Sequence, residues 1–260
     1  MARFCPLFSS SSGNCIYIGT SNTNILIDAG ISLRKIENAL QGIGQNASNI
    51  NAIFVTHEHN DHIAGLSRFA KKYAAKIYAS KKTKTQLQNN ANFDGIDILE
   101  IENEVELEGV KITRFATSHD CEGSSGYRAT FCDGLSFAVC TDTGIITDEI
   151  RHGITGCDLV MLESNHDINL LNHGPYTALL KARILSDKGH ISNTVCAEEV
   201  AKLVQSGTTR IILGHLSPQN NTPELARETT YKKLLSQGLT EGQDYLLYVA
   251  PKENGKLFSF

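Results

Sequence analysis

The segment Thr56-His57-Glu58-His59-Asn60-Asp61-His62 decides how the whole chain is interpreted. It follows the apolar run Ile53-Phe54-Val55, which predicts a strand, and it precedes a helical pattern. Four potential metal ligands therefore lie within six consecutive positions. In an extended backbone the first two histidines project to the same side, while the aspartate and the last histidine face a second point on the turn that follows. We predict that this one loop carries ligands for two cations.

A site for two ions needs further ligands, because each ion takes three or more protein groups and keeps an open position for water or substrate. His119, Asp142 and His215 lie at or near the ends of predicted strands, where loops build active sites on a rigid sheet. The HExxH motif of zinc proteases is not met, because Asp61 stands in place of its second histidine and the segment precedes a helix. The pattern predicts a two-metal hydrolase.

The order of strand and helix signals predicts the fold class. Short apolar runs near the N-terminus predict strands, and apolar spacing over residues 32–44 and 63–75 predicts helices. Alternating strand patterns dominate residues 96–139, and strands and helices alternate again over residues 159–237. Strands flanked by helices at both ends of the chain, with an antiparallel middle, favour a four-layer αββα sandwich of the α/β (α+β) class over a doubly wound sheet. We expect one domain over residues 1–260, because no linker or repeat interrupts the pattern.

Composition predicts the compartment. The chain is 41% hydrophobic and 20% charged, without an apolar run of membrane-spanning length or a secretory signal, so we expect a cytoplasmic protein without a membrane partner. Its seven cysteines contain no CxxC pair, which argues against a disulfide framework and a thiolate zinc knuckle.

The charge is unevenly distributed. The net charge of −4 gives no overall attraction to nucleic acid. Six lysines nevertheless lie between Lys71 and Lys84, and seven acids without a base lie in residues 94–108. A solvated helix face beside an acidic hairpin explains this pattern most simply, and a patch that follows nucleic-acid phosphates is the alternative.

Taken in order, these residues resemble the motifs of the metallo-β-lactamase superfamily: Asp28 in Ile27-Asp28-Ala29-Gly30, the HxHxDH loop, His119, Asp142 and His215. The resemblance covers nearly the whole chain and implies a single metallo-β-lactamase-like hydrolase domain. It implies a first ion held by His57, His59 and His119, a second held by Asp61, His62 and His215, and Asp142 as the bridge. It also implies that Asp28 orients the HxHxDH loop from behind. Two divalent ions are expected, and such ligands accept zinc, manganese and iron(II).

Further motifs indicate a branch of the superfamily. His59 in place of glutamate departs from the oxygen-reducing diiron branch, and Asp142 in place of cysteine departs from the true β-lactam hydrolases. Leu162-Glu163-Ser164, Gly189-His190-Ile191-Ser192 and Gly214-His215-Leu216-Ser217 resemble the phosphodiesterase branch that includes the tRNA 3′-processing endonuclease. In that branch a glutamate and a histidine pair on the leaving-group side. The matching residues here are Glu163 and His190.

Within this branch the chain is similar to the YycJ-type (WalJ-like) proteins, single domains that resemble DNA exonucleases. The similarity rests on FSSSSGNCIYI (8–18), THEHNDHIAG (56–65), TSHD (117–120), TDTG (141–144), ESNHD (163–167) and DKGHISN (187–193). It implies degradation of DNA from a 5′ end with manganese or zinc. The chain lacks the inserted arm of the tRNA-processing enzymes and the inserted domain of the β-CASP nucleases, so we expect DNA rather than RNA as the substrate.

The similarity also implies a mechanism. We expect the two ions to supply an activated hydroxide for in-line attack, Asp61 to help orient or deprotonate it, and His190, held by Glu163, to protonate the leaving group. Substrate contacts are expected from Ser11, Ser12, Asn14, His166 and Ser192. For the serine-rich loop a flexible turn is an equal alternative, and for His166 a helix cap is.

Two other function classes stay open at this point. A small-molecule metallohydrolase acting on a cyclic phosphate, thioester or lactone could use the same ligands, but Glu163 with His190 and the lysine stretch argue against it. A non-catalytic nucleic-acid-binding or scaffold protein would not need every ligand position filled. Cys121, two residues after His119, is expected to be a structural thiol, with a soft metal ligand as the alternative. The native metal, the cleavage polarity and the oligomeric state do not follow from the sequence.

Overall fold

The first sheet is formed by the N-terminal strands and the last strand of the chain, in a computed structural model that describes residues 1–260. Its strands are β1 (Arg3–Phe8), β2 (Cys15–Gly19), β3 (Asn24–Ile27), β4 (Ala52–Val55), β5 (Lys76–Ala79), β6 (Ile98–Glu100) and β14 (Phe258–Ser259). They lie in the order β14-β1-β2-β3-β4-β5-β6. The pairs from β14 to β3 are antiparallel, and those from β3 to β6 are parallel.

The second sheet contains the other seven strands. They are β7 (Glu104–Leu107), β8 (Val110–Ala116), β9 (Ser125–Phe131), β10 (Ser136–Cys140), β11 (Leu159–Glu163), β12 (Arg210–Gly214) and β13 (Leu246–Val249). Their order is β13-β12-β11-β10-β9-β8-β7. Antiparallel pairing from β7 to β10 changes to parallel pairing from β10 to β13.

Nine α-helices and two short 3₁₀ turns, at Ala47–Asn49 and Ala91–Phe93, complete the chain. The helices are α1 (Leu33–Gly42), α2 (Asn60–Ile63), α3 (Leu66–Tyr73), α4 (Lys81–Gln88), α5 (Asp148–Ile154), α6 (Ile168–His173), α7 (Ala178–Ile184), α8 (Asn193–Gln205) and α9 (Pro223–Ser236). None of them is both long enough and apolar enough to cross a membrane.

Three apolar clusters hold the layers together. The central cluster lies between the two sheets, where Phe4 of β1 meets Phe137 of β10 edge-on with ring centroids 5.8 Å apart. Phe54 of β4 meets Tyr127 of β9 in the same layer. The outer clusters pack α1 and α3 on the first sheet and α5, α8 and α9 on the second. Burial of each side chain of this size contributes about 1.5–3 kcal/mol to the stability of the fold. The four layers confirm the predicted αββα sandwich of the metallo-β-lactamase fold.

The structure divides the helix expected over residues 63–75. Helix α2 begins at Asn60, so the last two ligands of the loop lie on its turn and not before a helix. Gly65 separates α2 from α3, and a Cβ at that position would stand 2.1 Å from the carbonyl oxygen of Ile31. The backbone approach that this glycine allows fixes the loop of residues 57–62 against the chain that follows β3.

Candidate metal centre

The predicted ligands come together where strands of both sheets end. The HxHxDH loop follows β4 of the first sheet, and His119, Asp142 and His215 follow β8, β10 and β12 of the second. Asp28, Asp142 and His215 each adopt a left-handed backbone, with φ of 61°, 57° and 54°. Such conformations are uncommon outside glycine and turn the chain sharply at the strand end. They bring side chains from two sheets to one point.

Two groups of donor atoms lie where the resemblance implied two ions. One group contains His57, His119 and Asp142, and the other contains Asp61, His62 and His215; within each group the donor atoms lie within 4.8 Å of one another. His59 joins the first group, since its Nδ1 is 3.1 Å from His57 Nε2.

Four of the five histidines have their Nδ1 held by a group of the protein. The Nδ1 of His62 lies 2.7 Å from Asp28 Oδ2 and that of His215 lies 2.8 Å from Glu163 Oε1, while that of His119 donates to the carbonyl oxygen of Gly189 at 3.2 Å. The Nδ1 of His57 lies 3.0 Å from Thr56 Oγ1, whose own proton goes to Asp28. A proton fixed on Nδ1 leaves Nε2 as a lone-pair donor aimed inward.

His59 is turned the other way. Its Nε2 faces outward, 3.2 Å from the Sγ of Cys121, and its Nδ1 points to the other histidines. Burial raises the pKa of Cys121 to about 12, so without a cation this group is a thiol and not a thiolate.

Two buried atoms at the centre have no hydrogen-bond partner: Asp142 Oδ2 and His215 Nε2. Unpaired buried polar atoms are costly, and here they are a carboxylate oxygen and an imidazole nitrogen, which are ligands for divalent transition metals. Asp142 also lies between the two groups, with Oδ2 3.4 Å from His62 Nε2 and Oδ1 3.9 Å from His119 Nε2. The residues present therefore fit a pair of divalent cations, with Asp142 between them.

The charges of the centre without a cation follow from the same contacts. Although burial opposes it, the carboxylates around His62 raise the pKa of this residue well above its usual value, and Asp142 and Asp61 raise that of His215 to about 10. Burial likewise opposes ionisation of Asp142, but the surrounding histidines hold its pKa well below the usual range. Protons thus balance the carboxylates whenever no cation is bound, and cation binding must displace them.

Glu163 joins the centre to His190. It is completely buried at the end of β11, and its Oε1 lies 2.8 Å from the Nδ1 of both His190 and His215. Its Oε2 accepts hydrogen bonds from the backbone N–H groups of Thr143 and Ile191. Although burial opposes it, His190 and His215 lower the pKa of Glu163 to about 2, and Glu163 raises that of His190 against its own burial. Glu163 thereby favours the protonated form of His190, whose side chain remains 19% exposed.

The serine-rich loop supports the centre from behind. Ser9 Oγ accepts a hydrogen bond from the backbone N–H of His215 at 2.8 Å, and the N–H of Asn14 donates to the carbonyl oxygen of Asp61. Asn14 is buried, with its Nδ2 3.0 Å from His62 Nε2. Ser11 and Ser12 are exposed at the tip of the loop. This supporting role was missed in the sequence, where the loop suggested a phosphate contact or a flexible turn.

His166 and Ser192 lie farther from the surface than a substrate contact requires. His166 is completely buried and neither of its ring nitrogens has a partner. The cap of α6 is its neighbour Asp167, which accepts from the N–H of Leu170. Ser192 caps α8, and its Oγ accepts from the N–H of Val195. The structure does not bring these two side chains into the open part of the site.

The lysine stretch is divided between α3, β5 and α4. Lys72 lies on α3 and pairs with Glu37 at 2.7 Å, whereas Lys82 lies on α4 and pairs with Glu122 at 3.0 Å. Two other charged residues lie closer to the centre and were not singled out in the sequence: Asp120, the last residue of the TSHD motif, and Arg183 of α7.

The fold and the arrangement of these side chains define the class of protein: a metallohydrolase-type sandwich with its candidate metal ligands at one edge of two sheets. Residues 23–216 match the family described as β-lactamase superfamily domain. The chain belongs to this family.

Named relatives are similar over almost their whole length. Exodeoxyribonuclease WalJ of Streptococcus pneumoniae serotype 2 (strain D39) is 37% identical over 95% of this chain and 93% of its own. Exodeoxyribonuclease YycJ of Bacillus anthracis is 34% identical over 95% of this chain and 94% of its own.

Solved structures show the same fold. A diphosphatase of the PhnP family superposes with a TM-score of 0.69 at 21% identity, covering 100% of this chain and 98% of its own. The short form of human tRNase Z superposes with a TM-score of 0.66 at 16% identity, covering 99% of this chain and 98% of its own.

Proposed function

We propose that this chain is a metal-dependent phosphodiesterase that acts as a DNA exonuclease, degrading from a 5′ end. The observation that carries the proposal is the shared carboxylate of Glu163, which holds the Nδ1 of His190 beside two groups of candidate metal ligands. Cleavage of a phosphodiester requires an acid for the departing oxygen, and this pair provides one. Similarity to two exodeoxyribonucleases over 95% of the chain supports the same class of reaction and DNA as its substrate.

The residues that would hold the ions are His57, His59 and His119 for the first, Asp61, His62 and His215 for the second, and Asp142 for both. When bound, two divalent ions supply an activated water and stabilise negative charge on the phosphate. Asp61, whose side chain is 25% exposed, is close enough to the open face to orient the attacking water or accept its proton. Asp28 acts from behind, through His62 and the backbone N–H of Thr56.

His190 acts as the acid. Its Nδ1 is occupied by Glu163, so its Nε2 is the atom that carries the transferable proton. The partly exposed ring can reach a ligand, whereas the buried carboxylate cannot. Glu163 is therefore a positioning residue, and the backbone donors of Thr143 and Ile191 keep it ionised.

The leading alternative is a small-molecule metallohydrolase. The experiment that separates the two uses end-labelled duplex and single-stranded DNA, bis-p-nitrophenyl phosphate, an ester and a thioester, each with added Mn²⁺ or Zn²⁺. We expect a ladder that shortens from the 5′ end and no ester or thioester hydrolysis. Ester or thioester hydrolysis without DNA cleavage would establish the alternative, and no turnover with any metal would leave the non-catalytic class.

Several finer properties are proposals of the same kind. We infer manganese or zinc as the working ion, with iron(II) also compatible with the ligands, a cytoplasmic location and a place in DNA repair. Ser11 and Ser12 are proposed to contact the substrate from the exposed loop tip. Asn14, His166 and Ser192 could affect substrate binding only through the groups they support.

A further inference from the structure

A small cavity opens beside His190. It has a volume of about 160 Å³, and its polar lining includes Ser11, His119, Asn165, Arg183, His190 and Ser217. Pockets for drug-sized ligands measure about 300–1,000 Å³, so this cavity fits a single phosphate group or sugar and not a whole nucleotide. Tyr176 closes one wall.

Arg183 is the fixed positive charge of this cavity. Its Nε donates to Asp120 Oδ2 at 2.7 Å, and its Nη2 lies 2.5 Å from the same oxygen. Its Nη1 takes no part in these contacts, and the side chain is 56% exposed. A guanidinium held on one side, with donors free on the other, is suited to a phosphate oxygen.

Asp120 connects this guanidinium to the metal centre. Its Oδ1 lies 3.2 Å from His119 Nε2 and 3.5 Å from His59 Nε2, while Oδ2 holds Arg183. Asp120 is 29% exposed, so water does not fully screen these contacts. One carboxylate therefore fixes the position of Arg183 relative to two predicted ligands.

Helix α7, which carries Arg183, is also joined directly to His190. The backbone N–H of His190 donates to the carbonyl oxygen of Ile184 at 2.9 Å. Gly189 makes this turn possible, since a Cβ there would stand 2.3 Å from the carbonyl oxygen of Arg183. The backbone thus sets the position of α7 relative to the proposed acid, and Asp120 holds the guanidinium at the end of the Arg183 side chain.

We propose that Arg183 binds a phosphate group of the DNA strand next to the bond that is cleaved, and that Asp120 is the positioning residue that aims it. The inference rests on the proposed nuclease function and adds a specific subsite to it. The phosphate could belong to the backbone or to the strand terminus, because both present the same oxygens to the guanidinium. A cavity of this size beside the proposed acid accommodates one such group but not a whole nucleotide.

The test is equilibrium binding of labelled oligonucleotides to the full chain in EDTA, which separates binding from cleavage. Arg183→Ala should weaken binding about tenfold or more and reduce the slope of log K against log salt by about one. Lys181→Ala is the matched control, because it removes the same charge from the same helix and Lys181 Nζ contacts only the carbonyl oxygen of Asn172. It should change binding less than about threefold. Arg183→Lys should restore part of the affinity.

Asp120→Asn gives the sharper result. It removes a negative charge near the substrate, so electrostatics alone would strengthen DNA binding, whereas loss of positioning weakens it. Weaker binding supports the inference, and stronger binding overturns the role of Asp120. Oligonucleotides with a 5′-phosphate and a 5′-hydroxyl distinguish the sources: an Arg183 effect confined to the phosphorylated end indicates a terminal phosphate, and an equal effect indicates the backbone.

These experiments distinguish failure of the phosphate subsite from failure of the proposed nuclease function. If the wild-type chain cleaves DNA but Arg183→Ala binds no worse than Lys181→Ala, the subsite is wrong and the nuclease function stands. If the wild-type chain neither binds nor cleaves DNA, both fall. Unchanged thermal unfolding of the exposed-site variants establishes that binding losses do not come from misfolding.

Discussion

One oxygen atom, Oε1 of Glu163, links a predicted metal ligand to the proposed acid. It receives the Nδ1 protons of His215 and His190 at the same distance of 2.8 Å. A change in charge at either imidazole is therefore felt by the other through a carboxylate that is out of contact with solvent. The two roles proposed for these histidines, holding an ion and delivering a proton, therefore depend on one buried carboxylate.

The acid role of His190 predicts a leaving-group dependence. His190→Ala should lower kcat on DNA by about 10²–10⁴-fold, and on bis-p-nitrophenyl phosphate by less than about tenfold, because nitrophenolate leaves without a proton. The measurement is kcat for both substrates, with metal content per chain as the control. Equal losses on the two substrates would remove His190 from this role.

The position of Asp142 between two donor groups predicts loss of metal. Asp142→Ala should lower the metal content by at least one ion per chain, because its carboxylate serves both groups. Elemental analysis of protein purified without chelator provides the measurement. The exposed-surface variant Asp148→Ala controls for preparation, and full occupancy in Asp142→Ala would mean that the ligand assignment is wrong.

The raised pKa values of His62 and His215 predict competition between protons and cations. A histidine binds a metal only when neutral, so a pKa of about 10 for His215 means that cation binding at neutral pH must release a proton. Affinity should therefore rise with pH from neutrality towards about 10. Calorimetric titration with Mn²⁺ at neutral pH, in buffers of different ionisation enthalpy, measures the release. If no proton were released, these two histidines would have to be neutral before the cation binds, and the prediction would be wrong.

At the scale of elements, the loop after β3 and the HxHxDH loop approach each other without space between them. A Cβ at Gly30 would lie 1.6 Å from the carbonyl oxygen of Asp61, and the N–H of Ala29 donates to the carbonyl oxygen of His62. The ligand loop therefore rests on the backbone of another segment. Its geometry depends on that segment as much as on its own sequence.

This close approach predicts the effect of a single methyl group. Gly30→Ala should lower stability by about 1–3 kcal/mol and weaken metal binding, because the Asp61 carbonyl must move. Gly42→Ala is the matched control: it lies in α1, a Cβ there meets nothing within 4 Å, and the change should be neutral or stabilising by up to about 1 kcal/mol. Denaturant unfolding and metal titration of both variants test this, and equal stabilities would contradict it.

At the scale of the whole molecule, local sequence patterns were enough to predict the order of the layers. They were also enough to predict which candidate ligands come together. The αββα order follows from strand and helix periodicity, and the convergence of His57, His119, Asp142 and His215 follows from their places after strands. Helices α5 and α6 and strands β13 and β14 were not predicted. The last of these is two residues long and exists only because it pairs with β1, a contact that no local pattern encodes.

The contacts that support the candidate ligands could not be predicted from the sequence, for the same reason. Ser9 meets the backbone of His215 across 206 positions, and Arg183 meets Asp120 across 63. Neither pair has a spacing that distinguishes it from chance. Sequence order identified the residues that face the centre, whereas the residues that hold them depend on the packed sheets.

The left-handed backbone of Asp28, Asp142 and His215 affects how selection could raise the thermal stability of this protein. Each of these left-handed residues lowers the free energy of unfolding by on the order of 1–2 kcal/mol, a cost that a glycine at the same position would avoid. Selection for heat resistance alone, in the presence of a chelator, should therefore reward glycine in place of Asp142, whose buried Oδ2 has no partner. It should not do so at Asp28 or His215, whose side chains make buried hydrogen bonds. The most heat-stable variants obtained in this way would be those that had lost a residue of the proposed metal centre.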